Sequence, residues 1–582
     1  MGTVLWAPYG CHAGDWNPIF KLNTALIKIS NYAANTSLLL RSDKCEGCAF
    51  RTECVMHGDS TSLLASSVYP MHINIPRGDG SVCEKAAYLE NLGTWALDVG
   101  NCNLTTIDPG EDQFWTWFII VAGITSLLFV HDIYLFFENG FSPKQTDAGE
   151  FNFGNIPRKL PAKRLLSVSV FRGGGKTPLL HSEWDGFTVA DFEYPAFLFC
   201  AGLSTQLAIS YKTTVDWSGF FKRQLYLSLI GVFIVNGGLD WNTVRVTGVL
   251  QRIAVCAIIL FPLQAWQNRK QEDLCRMRAE KLGLPDDEED VNGNGNIEKK
   301  TPDTDGAYNL RRRNVTKNGG PATGSAKHVQ ESPPSFLWSS YGEWSTISAV
   351  LFVTAILNVV SFLARYYPIE GCPSGYVGVG GLGDGGRYPH CTGGVYAAFD
   401  RWLFGDHGYK SAFCKRVWQC LDVDSEGVLT TAGSLINVAT GIHVAQILRW
   451  YPTREEQNDR LIRYGILYGI VGYALTFVMP INKQIWSQSY AFTAASLCVF
   501  LYYVIRNVFD REESYFKMRM LAYMGDNSML IFTLQEGMKF RLPYHFYMGY
   551  TNFAWACMAL YTTVITIIFT FIARSKGWAL RL

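Results

Sequence analysis

The chain has 582 residues, with 51 Lys and Arg against 50 Asp and Glu and a formal net charge of +1. Charged residues make up 17% and the hydrophobic class 48%; soluble proteins average about 25% charged, so long uncharged stretches must be present. Balanced charge argues against a nucleic-acid partner and the apolar content excludes whole-chain disorder, which leaves a polytopic α-helical membrane protein with soluble parts.

Residues 1–110 carry short Val, Thr and Leu runs broken by Gly, Asn and Pro, as in Ser67-Val68-Tyr69-Pro70-Met71-His72-Ile73. That pattern predicts a β-rich domain. Cys11, Cys45, Cys48, Cys54, Cys83 and Cys102 fall inside it, and Cys372, Cys391, Cys414 and Cys420 fall in a Gly-rich loop at 368–427. Ten cysteines in two polar regions predict disulfides and an oxidising compartment. A zinc half-site at Cys45-x-x-Cys48 lacks a His-x-x-x-His partner, so no metal is expected. The sequons Asn35-Thr36-Ser37 and Asn103-Leu104-Thr105 are glycosylation candidates that agree with a luminal domain. Met1 to Trp6 has no basic, apolar leader, so a signal segment is expected to be missing from the front.

The first membrane-length apolar run lies near 114–137. Others follow near 187–210, 219–237, 246–266, 344–366, 428–449, 461–479, 484–505, 521–540 and 552–573. A span needs about 20 residues, so the reading is about ten transmembrane helices. They divide into a first group at 111–266 and a second at 344–582, with a hydrophilic, disordered cytoplasmic loop at 267–343 between them. Basic residues at Arg158-Lys159, Lys163-Arg164, Arg449 to Arg463, Arg506 to Arg519 and Arg574 to Arg581 orient the chain with its C-terminus cytoplasmic. Charge parity then shows one crossing too few between Arg164 and Lys270. Residues 165–181, with Arg172-Gly173-Gly174-Gly175-Lys176, cannot supply a normal apolar helix.

At the mouth of the second run stands His181-Ser182-Glu183-Trp184-Asp185-Gly186-Phe187-Thr188-Val189-Ala190-Asp191. Ionisable groups there are functional suspects, because burying charge in lipid is costly. A neutral imidazole suits a general base for acyl transfer to an amine. This run and Arg245-Val246-Thr247-Gly248-Val249-Leu250-Gln251-Arg252 closely resemble the heparan-α-glucosaminide N-acetyltransferases, lysosomal transmembrane acetyltransferases. The likeness continues through Gly371-Cys372-Pro373-Ser374-Gly375-Tyr376, Tyr388-Pro389-His390-Cys391-Thr392-Gly393-Gly394, Asp424-Ser425-Glu426-Gly427, Pro480-Ile481-Asn482-Lys483-Gln484-Ile485-Trp486-Ser487 and Asn527-Ser528.

The resemblance implies transfer of acetyl from cytosolic acetyl-CoA, as co-substrate, to the terminal glucosamine of heparan sulfate inside the lysosome, by a multi-pass homodimer with 11 helices. It matches His181 to the catalytic histidine. It makes Asp191, Trp184, Arg164, Arg172, Arg245, Arg252, Asn482, Lys483 and Trp486 candidates for binding acetyl-CoA or substrate. The four arginines are assigned to the cytoplasmic half, where their forks suit CoA phosphates; Arg245 and Arg252 are equally read as interfacial anchors or structural ion pairs. Trp486 either packs on a ligand ring or belongs to an aromatic belt, and Asn527 reads as an N-cap.

Three departures from the family stand out. Gly173 runs straight into Gly174, so an apolar helix ending in Asn-Tyr-Gly-Gly is missing together with its Asn, as an internal deletion would leave it. Ser169 replaces an Asp, and Gln535-Glu536 replaces a His-Glu pair. Direct attack on the thioester and a transient acetyl-histidine both fit the residues. A transporter and an inactive homologue are the competing classes.

Overall fold

The computed structural model describes residues 10–14, 23–45, 48–111, 119, 122–127, 129–130, 181–209, 215–236, 241–242, 244–281, 336–408, 414–451, 453–509, 519–538, 542–543 and 551–578. Arg164, Arg172, Ser169, the glycine run at 173–175 and most of the expected cytoplasmic loop lie outside them.

The N-terminal part is a β-sandwich. One sheet has the order β1 (Gly10–Ala13), β5 (Ser60–Ser66), β2 (Thr24–Ser30), β8 (Thr94–Asp98) and β9 (Asn103–Asp108). The other runs β4 (Arg51–Met56), β3 (Thr36–Ser42), β6 (Met71–Pro76) and β7 (Val82–Ala87). Neighbours pair antiparallel except β2 with β8, which are parallel. Alternating inward residues of both sheets, among them Ile27, Leu63, Leu97, Leu38, Ile73 and Ile75, form one core. Cys11–Cys54 and Cys83–Cys102 staple one sheet to the other. Asn35 and Asn103 are both exposed on this unit. Cys45–Cys48, Cys372–Cys391 and Cys414–Cys420 complete the pairing of all ten candidate cysteines. The Cys45–Cys48 turn and Tyr69 pack on Leu382, Val417 and Trp418, so the sandwich rests on the Gly-rich loop.

The longer helices among the remaining described residues are α1 (Val189–Ile209), α2 (Trp217–Val235), α3 (Val249–Lys281), α4 (Phe336–Ser345), α5 (Ser348–Ala364), α6 (Gly394–Phe404), α7 (Val428–Trp450), α8 (Arg454–Thr476), α9 (Gln488–Val508), α10 (Arg519–Asp526), α11 (Ser528–Gly537) and α12 (Asn552–Ser575). Among the described residues, five stretches are long and apolar enough to cross a bilayer: α2, Val249–Lys270 of α3, α7, α9 and Ala556–Ser575 of α12. Helix α7 is the axis of the bundle, buried along nearly its whole length. It crosses α1 at two glycines. A Cβ on Gly202 would lie 2.1 Å from the Val438 carbonyl oxygen, and one on Gly441 2.0 Å from that of Phe199. Small residues let two backbones meet this closely, as they do in membrane helix pairs.

Two expected boundaries are corrected. The loop expected at 267–343 is helical at both ends, because α3 runs to Lys281 and α4 begins at Phe336. Gln267 donates to the Ser345 carbonyl and the Ser348 hydroxyl and accepts from the Ala349 N–H, so these polar side chains are satisfied inside protein and the helix continues. The run at 521–540 is not one span but two short helices, broken at Asn527. Asn527 holds the N-cap position of α11, yet its side chain makes no capping bond.

Candidate active site

The site grows from the start of α1. Thr188 precedes the helix and Asp191 occupies its third position, so Thr188-x-x-Asp191 is a capping box. The Asp191 carboxylate reaches back to accept from the Thr188 backbone N–H at 3.1 Å and its hydroxyl at 2.9 Å. The same oxygen, Oδ2, accepts from the Ser182 N–H at 3.1 Å. Three donors on one oxygen of a fully buried carboxyl favour its ionised form.

The other oxygen, Oδ1, lies 2.8 Å from His181 Nδ1 and 3.4 Å from Lys483 Nζ. Lys483 Nζ is itself 2.9 Å from His181 Nδ1. A carboxylate only accepts and an ammonium only donates, so Nδ1 can serve one of these neighbours and not both. With Nδ1–H donated to Asp191, Lys483 pairs with the same carboxylate and Nε2 is the basic nitrogen. The ring is part-exposed, at 29% of its side-chain surface, whereas Asp191 has none. One carboxylate thus orients an imidazole that faces outward, and an adjacent ammonium opposes a second positive charge on the ring.

The strap 480–487 holds this loop in place. Asp185 and Asn482 form an antiparallel bridge, Gly186 N–H donates to the Ile481 carbonyl at 2.8 Å, and Asn482 Nδ2 donates to Asp185 Oδ1 at 3.1 Å. Gly186 adopts φ 126°, a backbone conformation that only glycine takes without strain. Asn482 Oδ1 accepts from the Ile485 N–H at 3.1 Å, so both ends of this amide are structural. Tyr490, at the start of α9, donates its hydroxyl to the Asp191 carbonyl at 2.6 Å.

Four other candidates are placed away from this chemistry. Trp184 is buried with Val379, Tyr396, Met479 and Ile485 beneath the Gly-rich loop, where its indole is a packing strut. Trp486 is neither an interfacial belt residue nor open to a ligand. It is 1% exposed, edge-on to Tyr194 and Tyr490 at 4.9 and 5.2 Å, and donates to Asn437 Oδ1 at 3.3 Å. Arg252 lies over the Trp486 ring at 4.8 Å and donates to Ser434 Oγ at 3.1 Å, to the Ser425 carbonyl and to the Thr430 hydroxyl. Arg245 pairs with Glu426 at 2.5 Å and Asp424 at 3.5 Å. Burial opposes ionisation of Glu426, but the Arg245 and Arg252 guanidinia hold its carboxyl below the usual range.

Arg245 is thus an ion-pair residue, while Arg252 is held by hydroxyls, a backbone carbonyl and an aromatic ring. They sit on the disulfide-bearing face, beside Asp424-Ser425-Glu426-Gly427, rather than in the opposite half where CoA phosphates were expected to meet them. The carboxylates that claim Arg245, and the hydroxyl and carbonyl groups that hold Arg252, lie more than 170 residues further along the chain. Sequence reasoning also left out Ser182, Thr188 and Tyr490 as supports of Asp191. Thr188 was detectable through the capping-box spacing.

Residues 175–271 match the family profile described as "Heparan-alpha-glucosaminide N-acetyltransferase, catalytic". This stretch includes His181, Asp191, Arg245 and Arg252. The chain is 26% identical to heparan-alpha-glucosaminide N-acetyltransferase of Mus musculus, over 91% of this chain and 84% of that protein. It is 29% identical to the Homo sapiens protein of the same name, over 69% of this chain and 58% of that one. The chain is related to the heparan-α-glucosaminide N-acetyltransferases. The resemblance read from its motifs is borne out, and the part matched to the catalytic profile contains the histidine around which the site is built.

Proposed function

We propose that this chain is a lysosomal membrane acetyltransferase that moves acetyl from cytosolic acetyl-CoA to the terminal glucosamine amine of heparan sulfate. The observation that carries the reading is the oriented His181 at the mouth of α1, with Asp191 behind it and Lys483 beside it. His181 Nε2 takes the proton of the amine as the nitrogen attacks the thioester carbonyl carbon. A C–N bond forms, the C–S bond breaks, and the proton passes to the departing CoA sulfur. Asp191 keeps the ring in the tautomer that leaves Nε2 basic and stabilises the imidazolium that forms between the two transfers.

The orientation follows from charge. Arg449, Arg454, Arg463 and Arg506 belong to the ends of α7, α8 and α9 that lie opposite the disulfide-bearing loop, so that end is read as cytoplasmic. With Arg245 and Arg252 engaged elsewhere, Arg164 and Arg172 are the arginines left as candidates for the CoA phosphates.

The test is acetyl transfer by the purified full chain from labelled acetyl-CoA to a glucosamine methyl glycoside. N-acetylated product is expected, with a loss of about 100-fold or more in His181→Ala. Equal rates in the two proteins would overturn the assignment of the base. A second reading, an inactive homologue, is favoured by the absence between Gly173 and His181 of the Asn that the family resemblance implies. Under it the wild-type chain gives no product.

A further inference from the structure

The loop that carries His181 holds three acidic side chains near the ring, and they differ in accessibility. Glu183 is 2% exposed and Asp191 fully buried, while Asp185 is open to solvent. Asp191 is saturated by donors from Ser182, Thr188, His181 and Lys483, so it cannot also meet a substrate. Asp185 is held by one oxygen only. Oδ1 accepts from Asn482 Nδ2 at 3.1 Å, and among the described residues Oδ2 has no hydrogen-bond partner.

The fixing of Asp185 is unusually firm for an exposed carboxylate. The backbone bridge to Asn482 and the Gly186–Ile481 bond lock its position, and the next residue of the same strap, Lys483, touches His181. One short segment thus sets both groups at the same mouth. Although water reaches Asp185, burial by the surrounding protein pushes its carboxyl above the ordinary range, outweighing the Asn482 hydrogen bond and the charge of Lys44. That is the environment of a cleft rather than of a free surface. Lys44 is an exposed residue of the β-sandwich.

We infer that Asp185 is the recognition carboxylate for the amino cation of the acceptor sugar. The inference rests on the acetyltransferase reading for the identity of the acceptor. Chemically it requires only a ligand with a primary ammonium. A carboxylate pinned at one oxygen keeps the other for the incoming N–H, and a charge-assisted bond of this kind is stronger than a neutral one.

Equilibrium binding of glucosamine methyl glycoside and glucose methyl glycoside, which differ only in amine against hydroxyl, tests this with the full chain. Wild type is expected to favour the amine, and Asp185→Asn to lose about tenfold of that preference while binding the hydroxyl sugar as before. The KM for acetyl-CoA should not move. Lys44→Gln should bind the amine at least as tightly as wild type. The proposal is overturned if wild type shows no amine preference, if Asp185→Asn weakens both sugars equally, or if Lys44→Gln reproduces the Asp185→Asn loss, as a strut between the β-sandwich and the helices would. Amine binding that depends on Asp185 without any acetyl transfer would sink the acetyltransferase reading and leave this inference standing.

Discussion

Asp191 and Asp400 show how burial gives two carboxyls opposite tasks. Asp191 is surrounded by donors and orients His181. Asp400, in α6, accepts from the Val428 N–H at 2.9 Å through Oδ1, while Oδ2 is buried without a hydrogen-bond partner among the described residues. Burial pushes the Asp400 carboxyl up to about 7, and the negative charge of Asp424 adds to the rise. The folded protein therefore holds a proton there that the unfolded chain releases near pH 4. Between about pH 4 and 7 the native state binds more protons, so stability falls as pH rises through that window. Asp400→Asn removes this dependence. The variant should match wild type below pH 4 and exceed it above pH 7, by at most about 4 kcal/mol for a shift of this size. Thermal midpoints in detergent across pH 4–8 check this; parallel curves would show that Asp400 does not titrate as described.

At the scale of elements, the bundle depends on a backbone-close crossing and a buried charge cluster. Gly441→Val would drive a branched side chain into the Phe199 carbonyl, so α1 and α7 must separate. The expected cost is about 1–3 kcal/mol, seen as a lower midpoint and loss of monodisperse protein, while Gly537→Ala, at an exposed position where a Cβ meets nothing within 4 Å, should be far milder. Arg245→Ala strands Glu426 and Asp424 and should cost roughly 2–4 kcal/mol; removing Glu426 as well should recover part of that loss, with the KM for acetyl-CoA unchanged. A raised KM with stability intact would return Arg245 to the CoA site.

These elements also mark what the sequence could disclose. His181 and Asp191 were legible because a polar cluster at the mouth of an apolar run is costly unless it is used. The cysteines were legible by number and place. Trp184, Trp486 and Arg252 were not, since their depth is set by Asn437, Ser425 and the Gly-rich loop, which are distant in sequence. Nor was the length of α3, where Gln267 looks like a loop residue until its partners at 345–349 are known.

Taken as a whole, the molecule divides its chemistry by face. The β-sandwich, the disulfide-bearing loop, Asp185 and His181 share one side, and the arginine-bearing ends of α7, α8 and α9 share the other. The sequon residues Asn35 and Asn103 are exposed on the sandwich, on that first side. An acceptor and a donor held on opposite sides of a membrane are what this arrangement suits. The most direct measurement uses the full chain in sealed vesicles oriented with the β-sandwich inside, glucosamine methyl glycoside trapped within and labelled acetyl-CoA added outside. N-acetylated sugar should accumulate inside the vesicles, and His181→Ala should abolish it. No internal product, or internal product at the same rate with His181→Ala, would contradict the account.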